Sequence, residues 1–175
     1  MKKTLVILVQ FLIFLSAKEG NFINPIISGA HPDPSICRVG DNYYIVNSSF
    51  EYFPGLPIHH SRDLVNWELI GHGIHREDQC NGEMNLVDVQ SDGGIHAPTI
   101  RHNKGTFYII TTNVYSPPDG KPAKMINFII TAKDPKGPWS EPHIIVGAPG
   151  IDPYIFFDDN NKVYFTGTHS PGDMN

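Results

Sequence analysis

The feature that most constrains this chain is a pattern that occurs three times. Three segments share a Pro-x-Ile start, a polar turn and an aromatic strand. The first is Pro34-Ser35-Ile36, turn Gly40-Asp41-Asn42 and Tyr43-Tyr44-Ile45-Val46; the second is Pro98-Thr99-Ile100, turn Asn103-Lys104-Gly105 and Phe107-Tyr108-Ile109-Ile110. The third is Pro153-Tyr154-Ile155, turn Asp158-Asp159-Asn160-Asn161 and Val163-Tyr164-Phe165. β-Branched and aromatic runs flanking a loop of Gly, Asn and Asp predict a β-hairpin in each case. The second halves also correspond, since Ser61-Arg62-Asp63-Leu64-Val65-Asn66-Trp67 resembles Ala132 to Trp139: an Asp turn, then a Trp able to pack between sheets. One unit is therefore about four strands. The starts lie 64 and 55 residues apart, longer than propeller repeats of about 40–50 but compatible with blades carrying long loops. No useful 3.6-residue periodicity occurs outside the N-terminus, which argues against an α/β barrel.

In a propeller the Pro-x-Ile strand would be innermost. The residue before each Pro is then Asp33, Ala97 and Asp152, so two carboxylates share a phase and face one central cavity. Asp33 also stands between Pro32 and Pro34. Proline fixes φ, and the residue before it is pushed toward extended backbone, so Asp33 is expected on stiff, extended chain at a strand mouth.

Residues 1–17 have a short positive end (Lys2, Lys3), an apolar run and a small-residue terminus at Ala17, which predicts a secretory signal peptide and an exported protein, periplasmic or extracellular. The run is short for a membrane span and contains Gln10, and no later stretch could span, so no membrane association is expected once it is removed. Residues 18–175 are within the size range of one domain and long enough to bury a core. Without Lys2 and Lys3, 11 basic side chains face 18 acidic ones, a formal charge of -7, and the absence of a basic patch excludes nucleic acid as a partner. Cys37 and Cys80 are too few for a disulfide scaffold, and Cys37 falls where a buried strand residue is expected, so a bridge between them is not expected.

Convergent carboxylates suit a metal site, glycoside hydrolysis or passive sugar binding. Inverting hydrolysis needs a carboxylate base and a carboxylic acid about 6.5–9.5 Å apart, and a third carboxylate nearby can raise the pKa of the acid. Asp158-Asp159-Asn160-Asn161 superficially resembles a calcium loop but reads as a solvated turn. The nine histidines show no zinc pattern, and His31, His59 and His60 are expected in surface or strand-packing roles. No metal or cofactor is expected.

Asn24-Pro25-Ile26-Ile27-Ser28-Gly29, Pro32 to Ile36, Ser49-Phe50-Glu51-Tyr52-Phe53-Pro54-Gly55, His59 to Trp67, Gly93-Gly94-Ile95-His96-Ala97-Pro98 and Gly150-Ile151-Asp152-Pro153 together resemble glycoside hydrolase family 43, closest to its β-xylosidase and α-L-arabinofuranosidase members. The resemblance implies a five-bladed all-β propeller, of which about two and a half blades are present, and single-displacement hydrolysis with inversion. It places the catalytic base on Asp33 and, on Asp152, the aspartate that orients the acid and modulates its pKa. Phe50 matches an aromatic that shapes the sugar pocket. His96 stands where many members have a tryptophan, so substrate preference is open between xylo- and arabino-oligosaccharides. The family's general acid is a glutamate in a later blade; Glu51, Glu68, Glu77, Glu83 and Glu141 lack its context. The chain alone is accordingly expected to be a truncated form, poorly stable and without glycosidase activity. The other reading is a non-catalytic carbohydrate-binding propeller or an inactive gene fragment.

Overall fold

A computed structural model describes residues 22–86, 89–117 and 119–169. The expected signal peptide, residues 1–17, lies outside the described residues. Among the described residues, ten strands form three antiparallel sheets. The first contains β1 (Ser35–Val39), β2 (Asn42–Val46), β3 (Gly55–Ser61) and β4 (Glu68–Ile74) in that order. The second repeats it with β5 (Gly94–Asn103), β6 (Thr106–Tyr115), β7 (Lys124–Ala132) and β8 (His143–Ile144). The third is a hairpin of β9 (Ile151–Phe157) and β10 (Val163–Thr168). The helical elements among the described residues are two 3₁₀ turns, Glu77–Gln79 and Gly82–Met84, and no described helix is long and apolar enough to cross a membrane.

The three expected hairpins form in the expected frame, and the sheets stack with β1 against β5 and β5 against β9. Most of the core lies in the first two sheets: Leu56, Ile58 and Ile74 from one, Ile95, Ile100, Ile109, Phe128 and Ile130 from the other, each fully buried. Trp139 joins them at 1% exposure, whereas Trp67 is only half-buried and donates its indole N–H to the Leu64 carbonyl. Gln79 ties the two sheets from a buried position. Its Oε1 accepts from the His75 and Arg76 N–H groups, and its Nε2 donates to the Gly73 and Ser140 carbonyls.

Each unit carries the same bulge at the same place. In β5–β6 the register passes from Thr99–Ile110 to His96–Thr112, three residues against two; in β9–β10 it passes from Tyr154–Thr166 to Ile151–Thr168. Beyond the Ser35–Val46 pair, the Ser48 N–H donates to the Pro32 carbonyl at 3.1 Å, the same three against two. The extra residue is Asp33, Ala97 or Asp152, with φ of +49°, +41° and +59°. The extended backbone expected at Asp33 is therefore not what forms. A bulge requires a tight local bend, and the ladder on either side imposes it. The preference before proline disfavours right-handed helical backbone and loses to that ladder. Proline suits the next position, because a bulge leaves one residue unpaired and proline has no N–H to strand.

Candidate active site

The bulges put Asp33 and Asp152 at corresponding ends of their inner strands, both exposed. Side-chain hydroxyls hold these strands in phase. Ser35 Oγ accepts from the Ile100 N–H at 3.1 Å, and Thr99 Oγ1 donates to the Pro153 carbonyl at 2.9 Å. Each inner strand is thereby tied to the next beside its proline, and Asp33 and Asp152 flank Ala97 along one rim. Left-handed backbone costs a residue with a Cβ about 1–2 kcal/mol, less for Asp, and such strain collects at functional sites.

The Asp33 turn is clamped from the segment that follows β2. Buried Asn47 donates through Nδ2 to the carbonyls of His31 (2.9 Å) and Pro32 (3.1 Å). Buried Ser48 donates through Oγ to Asp33 Oδ2 at 2.6 Å, and Ser48 Oγ itself accepts the Ala97 N–H at 2.7 Å. Asp33 Oδ1 has no hydrogen-bond partner among the described residues, and neither does the Asp152 carboxylate. Under the turn, the His31 and His59 rings meet edge to face at 5.0 Å; burial, with His31 and His72 nearby, pushes the His59 pKa down. His60 packs on Tyr44 and contacts Asn42 Oδ1, so all three histidines sit in packing positions.

Phe50 and His96 come together. Their rings meet edge to face at 4.8 Å, and His96 Nδ1 lies 3.0 Å from the Gly94 carbonyl. The Phe50 N–H donates to the Ile95 carbonyl (2.9 Å) and the Ile95 N–H to the Phe50 carbonyl (3.0 Å), joining the first sheet to the second. Phe50 thus has a structural part and is also partly exposed beside the rim. A cleft of about 510 Å³ lined by Tyr44, His60, Glu68 and Lys133 lies at the opposite end of the first sheet and contains none of these residues.

Asp158 caps the β9–β10 turn by accepting the Asn160 and Lys162 N–H groups, as a solvated turn requires. Among the described residues no three His, Cys, Asp or Glu side chains assemble into a group able to hold a metal ion. Cys37 and Cys80 are free thiols, and burial pushes the Cys37 pKa up. Asn47 and Ser48 were not among the residues expected from sequence. The hairpin register that pairs Val39 with Asn42 and Ser35 with Val46 would, if continued, set Ser48 opposite Asp33.

The molecule is thus a repetitive antiparallel β protein that presents two aspartates on strained bulges of one rim, beside an aromatic wall. The model of the glycosyl hydrolases family 43 matches residues 22–174. The chain is 46% identical over 173 residues to a non-reducing end alpha-L-arabinofuranosidase of Bacteroides ovatus, covering 96% of this chain and 30% of that protein. It is 52% identical over 149 residues to a xylosidase/arabinosidase of Butyrivibrio fibrisolvens, covering 83% and 26%. Among solved structures, the GH43 BlXynB protein from Bacillus licheniformis matches with a TM-score of 0.74 at 42% identity, covering 84% of this chain and 29% of that one. The chain belongs to glycosyl hydrolase family 43. It spans between a quarter and a third of the length of these curated relatives.

Proposed function

We propose that this chain carries the base-bearing part of an exo-acting, inverting glycosidase that releases terminal xylose or arabinose from plant pentose oligosaccharides. In this reading residues 1–17 export it, and its sheets are blades of a five-bladed propeller. Relatives named for arabinofuranosidase and xylosidase activity support the sugar class. The observation that carries the reaction is the shared bulge, which sets Asp33 and Asp152 in one phase on an exposed rim.

In the proposed step Asp33 Oδ1 takes a proton from water as the water oxygen forms a bond to the anomeric carbon. The bond from that carbon to the leaving oxygen breaks with its electron pair, and a general acid protonates that oxygen. Asp152 orients that acid and adds negative charge beside it, which holds the acid's proton more tightly. Glu83 is paired with Lys124 and Glu141 with Arg76, and no glutamate of this chain is assigned the acid's role. Phe50 and His96 wall the sugar.

The test is turnover of aryl β-xylosides and aryl α-L-arabinofuranosides by the full-length gene product and by its Asp33→Ala variant, with product configuration followed by NMR. Inversion, and a loss of about 10²–10⁴-fold in the variant, are expected. Wild-type turnover by Asp33→Ala would overturn the assignment of the base.

A further inference from the structure

We propose that Ser48 is the positioning residue of the base: its hydroxyl selects which oxygen of Asp33 meets water. This rests on the reading of Asp33 as base and goes beyond it. A serine hydroxyl has one proton and two lone pairs. The Ala97 N–H can only donate, and it points at Ser48 Oγ from 2.7 Å, so it uses a lone pair. The hydroxyl proton is thereby directed to Asp33 Oδ2 at 2.6 Å. Hydrogen bonds to an ionised acceptor are short and stronger than neutral ones, and this one is made by a side chain only 4% exposed. Oδ2 is engaged and Oδ1 is left toward solvent.

Ser48 cannot follow Asp33 if the aspartate rotates, because three contacts fix it. Its N–H donates to the Pro32 carbonyl, its Oγ accepts from Ala97, and its neighbour Asn47 clamps the carbonyls of His31 and Pro32. The carboxylate is thus tied to the second sheet through one hydroxyl, and its aim depends on where Ala97 stands. The corresponding hydroxyl of the second unit is Thr112, paired with His96 across the bulge. The bulge residue there is alanine, and Thr112 Oγ1 donates to Asn127 Oδ1 instead. Of these two hydroxyls, only the one facing an aspartate turns to the bulge.

The experiment uses the full-length protein with Ser48→Ala, Ser48→Cys, Ser48→Thr and, as a control, Ser35→Ala. Ser35 makes a hydroxyl tie between sheets like that of Ser48 but touches no carboxylate. Ser48→Ala should lower kcat about 10- to 100-fold with KM unchanged, the effect of a misaimed base on bound substrate. Ser48→Cys, near in shape but a weak donor, should fall between, and Ser48→Thr should restore kcat; Ser35→Ala should lose stability and keep kcat. If Ser48→Ala does not fold, the order wild type, Thr, Cys in kcat carries the test. Wild-type kcat in Ser48→Ala or Ser48→Cys, a change confined to KM, or an equal kcat loss in Ser35→Ala would overturn the inference while Asp33→Ala still stood as base. Turnover by Asp33→Ala would remove both.

Discussion

Gly94 offers a quantitative test of how the first two sheets are joined. It has φ of +80°, and a Cβ placed there would stand 2.0 Å from the Phe50 carbonyl oxygen and 2.5 Å from its carbon. Neither atom can rotate away, because both belong to the backbone bridge between Phe50 and Ile95. Gly94→Ala should therefore break the two hydrogen bonds of that bridge, each worth about 1 kcal/mol, and add about 1–2 kcal/mol of left-handed strain. Against this stands a gain of about 0.4–1 kcal/mol from a less flexible unfolded chain. The net loss is about 2–3.6 kcal/mol, a large share of the 5–15 kcal/mol typical of a domain. Gly147 isolates the strain, since its φ is +76° and a Cβ there would meet nothing within 4 Å. Gly147→Ala should cost only about 1 kcal/mol. Urea unfolding of both variants, followed by tryptophan fluorescence, separates the effects. Equal losses in the two variants would refute the bridge as the joint between the sheets.

Trp139→Ala should cost about 3–5 kcal/mol in the same assay, because the ring is 1% exposed within the core, while Trp67→Ala should cost far less. Acidification should destabilise the fold through His59 and His72, both pushed down, first of all by burial. Between the depressed folded pKa values and the ordinary 6.5, the unfolded chain binds more protons, so stability is complete above 6.5 and is lost as pH falls through that window. Urea midpoints measured from pH 7 to 5 should fall, and fall less steeply in His59→Leu; an unchanged slope would exclude His59 as a source. Phe50→Ala should raise KM for aryl pentosides by about 10-fold if the ring stacks on the sugar, and an unchanged KM would leave it only its structural part.

Much of this was legible in the sequence because the repeat is a physical constraint imposed three times. Any one Pro-x-Ile start reads as a turn before a strand; three in phase define the inner strands, and the expected hairpins formed around Gly40, Gly105 and Asp158. What escaped was the backbone at Asp33. Local preference before proline favours extended chain, but the bulge is set by pairing on both sides, by the Ser48 N–H on Pro32 and the Ser35–Val46 pair. Those partners are 11 to 16 residues away, beyond what a rule about neighbouring residues can weigh. The clamp at Asn47 escaped for the same reason: it matters only once the hairpin has brought it against the carbonyls of His31 and Pro32.

The same reasoning explains how one repeated element supports two different aspartates. In all three units a hydroxyl residue, Ser48, Thr112 or Thr168, faces the bulge across the hairpin, and in all three the bulge residue is left-handed. The first unit buries its serine and fills the bulge with Asp33, so the carboxylate is held. The second fills it with Ala97, whose N–H completes the first unit's serine and whose methyl leaves the space between the two aspartates free of a third charge. The third has Asp152 as its bulge residue with Thr168 opposite, and that carboxylate has no hydrogen-bond partner among the described residues. The units share geometry, and the Ser48 hydroxyl, completed by the Ala97 N–H, is what sets the first aspartate apart.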